Sequence, residues 1–102
     1  MPVIKRLALE LFYKKWPAAE RPMSEWWSRA KRAKWRNFAE VKNTFGQTDQ
    51  AKVDSGNTVL IFDVGGNKYR IIAAVSYPKQ KLCILRVFTH KEYDQQPWKE
   101  QL

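Results

Sequence analysis

The chain has 102 residues, enough for one hydrophobic core spanning 1–102 and too few for two. Its 44% hydrophobic and 14% aromatic content, with only four glycines and five prolines, excludes a wholly disordered or collagen-like chain. Nineteen Lys and Arg against ten Asp and Glu leave a net charge of +9, a balance suited to phosphate polymers or an anionic surface. The lone Cys83 excludes an internal disulfide, and no apolar run approaches the ~20 residues of a membrane span. The segment from Lys5 to Lys15 is interrupted by Glu10 and lacks a small-residue cleavage site, so a soluble cytoplasmic protein is expected, with no membrane partner.

From Ile4, apolar residues recur at Leu7, Ala8, Leu11 and Phe12, the spacing of an amphipathic helix that Pro17 stops. Past Pro22, Ser24 is placed to N-cap a second helix, with Glu25 in its first turn and Trp26, Trp27 and Ala30 on its inner face. Asn37 and Glu40 have capping-box spacing and open a third helix, which turns Phe38, Val41 and Phe45 to one side and ends at Gly46. Residues 47–57 read as a polar loop. Three runs rich in β-branched and aromatic residues follow, Thr58 to Asp63, Lys68 to Val75 and Leu82 to Thr89. Gly65-Gly66-Asn67 and Tyr77-Pro78-Lys79-Gln80 supply the turns of an antiparallel meander. Helices followed by strands predict an α+β domain, two to three N-terminal helices packed on one face of a small antiparallel sheet. The tail from Gln95 to Leu102 carries no readable motif.

Two surfaces invite chemistry. Arg29, Lys31, Arg32, Lys34 and Arg36 place five cations without an acid in eight residues, interleaved with Trp27 and Trp35. Such a face either neutralises RNA phosphates while its indoles stack on bases, or is a solvated helix face with the tryptophans in the core. In the sheet, a hairpin centred on Pro78 sets Arg70 opposite Arg86. Like charges facing each other across a ladder cost stability unless an anion lies between them, so the pair reads as a phosphate clamp; the alternative is pairing of Arg70 with Asp63. The only histidine, His90, and Tyr93 follow at the end of the third run, near Asn67 and Lys68 at the end of the adjacent one. Together they offer cations and proton-transfer groups for phosphodiester cleavage without a metal. No zinc-ligand spacing, Walker loop or dinucleotide fingerprint is present, so no metal or nucleotide cofactor is expected. No nucleophilic triad is apparent, although Ser76 and Cys83 stay open as spatial partners of His90.

The string Phe62-Asp63-Val64-Gly65-Gly66-Asn67-Lys68-Tyr69-Arg70, followed by Thr89-His90-Lys91-Glu92-Tyr93-Asp94, resembles the HigB family of bacterial type II toxins in the RelE superfamily. The region from Trp27 to Trp35, Trp35-Arg36-Asn37 and Phe45 agree with it, and the resemblance extends over roughly residues 5–94. It implies a RelE-like microbial RNase fold and an mRNA interferase, usually acting on the ribosome and neutralised by a helix-turn-helix antitoxin. Carried over by position, it makes Arg70 and Arg86 phosphate-holding residues, His90 and Tyr93 proton-transfer candidates, and Asn67 and Lys68 RNA-orienting residues. Lys52 corresponds to a basic position of the superfamily in a poorly matched loop. The family leaves open which group is base and which is acid.

The expectation is therefore a metal-independent endoribonuclease toxin with Arg70, Arg86, His90 and Tyr93 as catalytic candidates and Lys52, Asn67, Lys68, Arg29, Arg32 and Arg36 as RNA-binding candidates. Its expected partners are mRNA, the ribosome and an antitoxin. The alternative is a noncatalytic RNA- or ribosome-binding module built on the Arg29 to Arg36 face, in which His90 and Tyr93 are dispensable.

Overall fold

The computed structural model describes residues 1–95 and 97–102. Five strands form one sheet: β1 (Val3–Ile4), β2 (Thr48–Lys52), β3 (Thr58–Val64), β4 (Tyr69–Ser76) and β5 (Lys81–Thr89), in the spatial order β1-β5-β4-β3-β2. The meander from β2 to β5 is antiparallel, and the two-residue β1 lies parallel to β5, so the sheet is mixed at that edge. Three helices, α1 (Leu7–Lys15), α2 (Glu20–Arg32) and α3 (Phe38–Thr44), precede β2, as an α+β chain requires. Two short ones, α4 (His90–Gln95) and α5 (Trp98–Gln101), follow β5. No helix among the described residues is long and apolar enough to cross a membrane.

The N-terminal helices seal one sheet face. Met23, Trp26 and Ala30 of α2, with Trp35 and Val41, pack on Leu60, Phe62, Tyr69, Ile71, Ala73, Leu82 and Ile84. A second core lies on the opposite face, where Val53, Val59, Ile61 and Ile72 meet Trp98 of the C-terminal segment. The segment without a motif is thus a cover for the sheet. Burial from both sides explains why β3 and β4 carry the unbroken runs Val59 to Phe62 and Ile71 to Ala73 rather than an alternating pattern.

Several local expectations change. In α1 the core side is Leu9 and Phe12, the latter edge-on to Tyr69, while Leu7 and Leu11 are 61% and 59% exposed. Lys5 turns the chain at φ 67° just ahead of the helix, so Ile4 does not continue its stripe. Ser24 lies inside α2 rather than at its start. A single 3-10 turn, Pro17–Ala19, feeds directly into Glu20, and Pro22 falls in the first helical turn, where a missing N–H breaks no hydrogen bond. Trp26 and Ala30 are buried but Trp27 is only partly so. Half of the polar stretch 47–57 is β2, an edge strand whose charged residues are tolerated because one of its sides has no ladder to complete. Asn37 does cap α3, accepting from the Glu40 N–H at 3.0 Å. The β3–β4 turn runs through three consecutive positive φ angles at Gly65, Gly66 and Asn67.

Candidate functional site

The site forms where the β3–β4 turn meets the start of α4. Thr89 and Glu92 build a reciprocal capping box: the Thr89 N–H donates to the Glu92 carboxylate at 2.9 Å, and the Glu92 N–H donates to Thr89 Oγ1 at 3.1 Å. The His90 amide donates to the Lys68 carbonyl at 2.8 Å, which ties the helix to the turn. His90, Tyr93 and Asp94, three and four residues apart, then share one side of α4.

Arg70 is the hub, 9% exposed at the end of β4. Its Nη1 donates to Asp63 Oδ1 at 3.1 Å and to the Tyr69 carbonyl at 3.2 Å. Its Nη2 donates to Asn67 Oδ1 at 2.6 Å and meets His90 Nδ1 at 3.1 Å. The guanidinium carbon lies 5.4 Å from the centre of the Tyr93 ring. A guanidinium only donates, so Nδ1 of His90 accepts and the ring proton sits on Nε2, which faces Asp94 Oδ2 at 3.3 Å. Burial pushes the Tyr93 phenol above the ordinary tyrosine value; Arg70 pulls it down, Asp49 and Asp94 push it up, and the net direction is upward. Tyr93 therefore holds its proton across neutral pH and is a proton donor, not a base.

Of the residues singled out from sequence, Arg70, His90, Tyr93 and Asn67 come together, with Lys68 exposed beside them. Arg86 does not face Arg70. A bulge at Ile72/Ala73 adds a residue to β5, so Arg70 pairs with Phe88 and Arg86 with Ile72, leaving the two arginines diagonal on one face. The Arg86 Nη1 donates to the Leu85 carbonyl at 2.7 Å. Asp63 is the residue directly opposite Arg70, so the ion-pair alternative holds in place of an Arg–Arg clamp. Lys52 is paired with Thr58 at the far end of β2, and strand alternation sets it on the other sheet face from Arg70. Arg36 is spent on Glu40 at 2.8 Å, Arg32 on Ser28 at 2.9 Å, and Arg29 covers the Phe45 ring while donating to the Thr44 carbonyl. Trp35 is 2% exposed, its indole N–H donating to Thr44 Oγ1 at 3.0 Å, so it is a core residue and cannot stack on bases. Trp27 lies between the Arg6 and Lys31 side chains.

Three contributors escaped the sequence reading. Asp49 belongs to the strand taken for a loop, Asp94 orients His90, and Trp98 stacks on Tyr93 with ring centres 5.5 Å apart. The unbroken apolar runs of β3 and β4 were the available signal for a cover such as Trp98; nothing comparable pointed to Asp49.

Fold and cluster together define a small basic α+β protein with a polar site at its strand ends. Residues 19–96 match the family model HigB_toxin, the RelE-like toxic component of a toxin-antitoxin system, and the chain belongs to that family. It is also 53% identical over 34 residues to the mRNA interferase toxin HigB of Escherichia coli strain K12, and equally to the mRNA interferase HigB of Escherichia coli O157:H7 and of Shigella flexneri. Each of these alignments spans 33% of the chain and 33% of the relative.

Proposed function

We propose that the chain is the toxin of a type II toxin-antitoxin system and acts as an endoribonuclease on mRNA, on the ribosome, with its active site at the Arg70 cluster. The observation that carries this is the convergence of a buried arginine, an unprotonated histidine nitrogen and a protonated phenol within one cluster. The scissile phosphate takes the place of the imidazole at Arg70 Nη2, and the released His90 Nδ1 accepts the proton of the ribose 2′-OH. The 2′-oxygen attacks phosphorus, the P–O5′ bond breaks, and Tyr93 gives its proton to the leaving 5′-oxygen. The products are a 2′,3′-cyclic phosphate and a 5′-hydroxyl. The chain supplies base, acid and cation itself, and the step needs no metal. Arg86 and Lys68 add positive charge for the RNA backbone, and a helix-turn-helix antitoxin is the neutralising partner.

The noncatalytic binding module draws on one observation, that Arg70 is already fully engaged by protein partners, but it loses Trp35 as a stacking residue. The two readings separate on cleavage of a defined mRNA in EDTA, with and without translating ribosomes, by the wild type, Tyr93→Phe and His90→Ala. Metal-free cuts ending in a cyclic phosphate, and abolished in both variants, are expected. An intact message under both conditions, with RNA or ribosomes still bound, overturns the ribonuclease in favour of the binding module.

A further inference from the structure

Between α2 and the β3–β4 turn lies a cleft of about 310 Å³, lined by Trp26, Phe45, Glu25, Arg29, Asp63 and the glycines of the turn. That is the lower end of the range for small-molecule sites, roughly 300–1,000 Å³, and suits one nucleobase with its sugar. We propose that the cleft is a base-recognition subsite that takes a guanine of the RNA next to the Arg70 cluster. The inference rests on the ribonuclease reading and deepens it.

The lining fits a planar, donor-rich ligand. Trp26 and Phe45 give an aromatic wall, their rings 27° from parallel. The Arg29 guanidinium lies 4.6 Å from the centre of the Phe45 ring and forms no ion pair among the described residues, which leaves its charge for a nucleotide phosphate. A Cβ at Gly66 would meet nothing within 4 Å, so the main chain there stands open to a ligand. The acidic groups decide the base. Carboxylates only accept, and Glu25 is held by nothing stronger than an exposed contact to Arg21 at 3.3 Å. Guanine presents two adjacent donors, its N1–H and its 2-amino group, to a single carboxylate, whereas uracil presents one donor between two acceptors. Asp63 ties the cleft to the chemistry, because it lines the cleft and its carboxylate holds Arg70.

Trp26 provides the reporter, since its buried indole N–H has no hydrogen-bond partner among the described residues. The test is a nuclear magnetic resonance titration of the full chain with GMP, AMP, CMP and UMP, following that indole proton and the Gly65 and Gly66 amides. GMP is expected to shift all three signals and to bind roughly tenfold more tightly than UMP, as a paired hydrogen-bond contact discriminates. Glu25→Gln is expected to abolish the preference while the spectrum stays that of a folded protein. Absence of shifts, equal binding of the four nucleotides, or a preference that survives Glu25→Gln overturns the subsite. Binding needs no turnover, so guanine-selective shifts in a protein that cuts no RNA uphold the subsite and remove the ribonuclease reading. RNA cleavage without shifts does the reverse.

Discussion

Arg70 keeps its position through four acceptors, Asp63, Asn67, His90 and the Tyr69 carbonyl, and each has a different consequence if removed. Asp63→Ala leaves a poorly solvated guanidinium without its counter-charge. Urea denaturation is expected to show a loss of about 1–3 kcal/mol, whereas Asp63→Asn, which keeps an acceptor, costs less than about 1 kcal/mol. Tyr93→Phe is the complementary test, because it removes only the hydroxyl and leaves the stack on Trp98. If the phenol protonates the leaving oxygen, single-turnover cleavage slows by about 10²- to 10⁴-fold with RNA affinity unchanged. The pH dependence has a definite sign. A phenol raised by burial contributes stability that is fully present below the ordinary tyrosine value, and that contribution declines as pH rises through the raised one. Wild-type stability is therefore expected to fall in that alkaline window by more than that of Tyr93→Phe, a difference that paired denaturation curves measure.

The elements that carry the site are short and depend on specific local bonds. Thr89→Ala removes the Oγ1 that accepts from Glu92 and is expected to cost about 1 kcal/mol, seen as faster amide exchange in α4 ahead of the sheet. Cleavage should weaken in parallel, since His90 and Tyr93 ride on that helix. The same elements show why some of the architecture was legible in sequence and some was not. Strands β3, β4 and β5, their turns and the Asn37 cap follow from local chemistry: β-branched runs, glycines at positive φ, and a side chain that reaches the N–H three residues on. The Arg70, Asn67, His90 and Tyr93 grouping was also visible, because all four lie at adjacent strand ends. What failed depends on partners distant in the chain. The bulge that moves Arg86 off Arg70 is set by pairing across β4 and β5, not by either strand alone. Which of two overlapping stripes of α1 turns inward is set by Tyr69 and the sheet, and β2 pairs despite its polar sequence because β3 supplies a template.

Across the whole molecule, the charge of +9 is divided between a buried, fully engaged arginine at the strand ends and exposed cations around the end of α2. Exposed cations attract the RNA backbone over distance, while the cluster acts on one phosphate, so binding and cleavage should separate under mutation. Lys31 lies over the Trp27 ring and Arg36 is paired with Glu40, whereas Arg32 meets only the Ser28 hydroxyl and Lys34 has no ion pair among the described residues. Arg32→Glu with Lys34→Glu is therefore the informative pair. Each phosphate of a single strand that a cation no longer neutralises lowers the slope of log K against log salt by about 0.7, so the double variant is expected to reduce the slope by about 1.4. Fluorescence anisotropy on a labelled single-stranded RNA over a salt series measures that slope, and single-turnover cleavage at saturating protein should stay at the wild-type rate. An unchanged slope places the RNA backbone elsewhere on the surface. A cleavage rate that falls with the slope ties the α2 face to the chemistry itself, against the division of labour that the burial of Arg70 and the exposure of Arg32 and Lys34 imply.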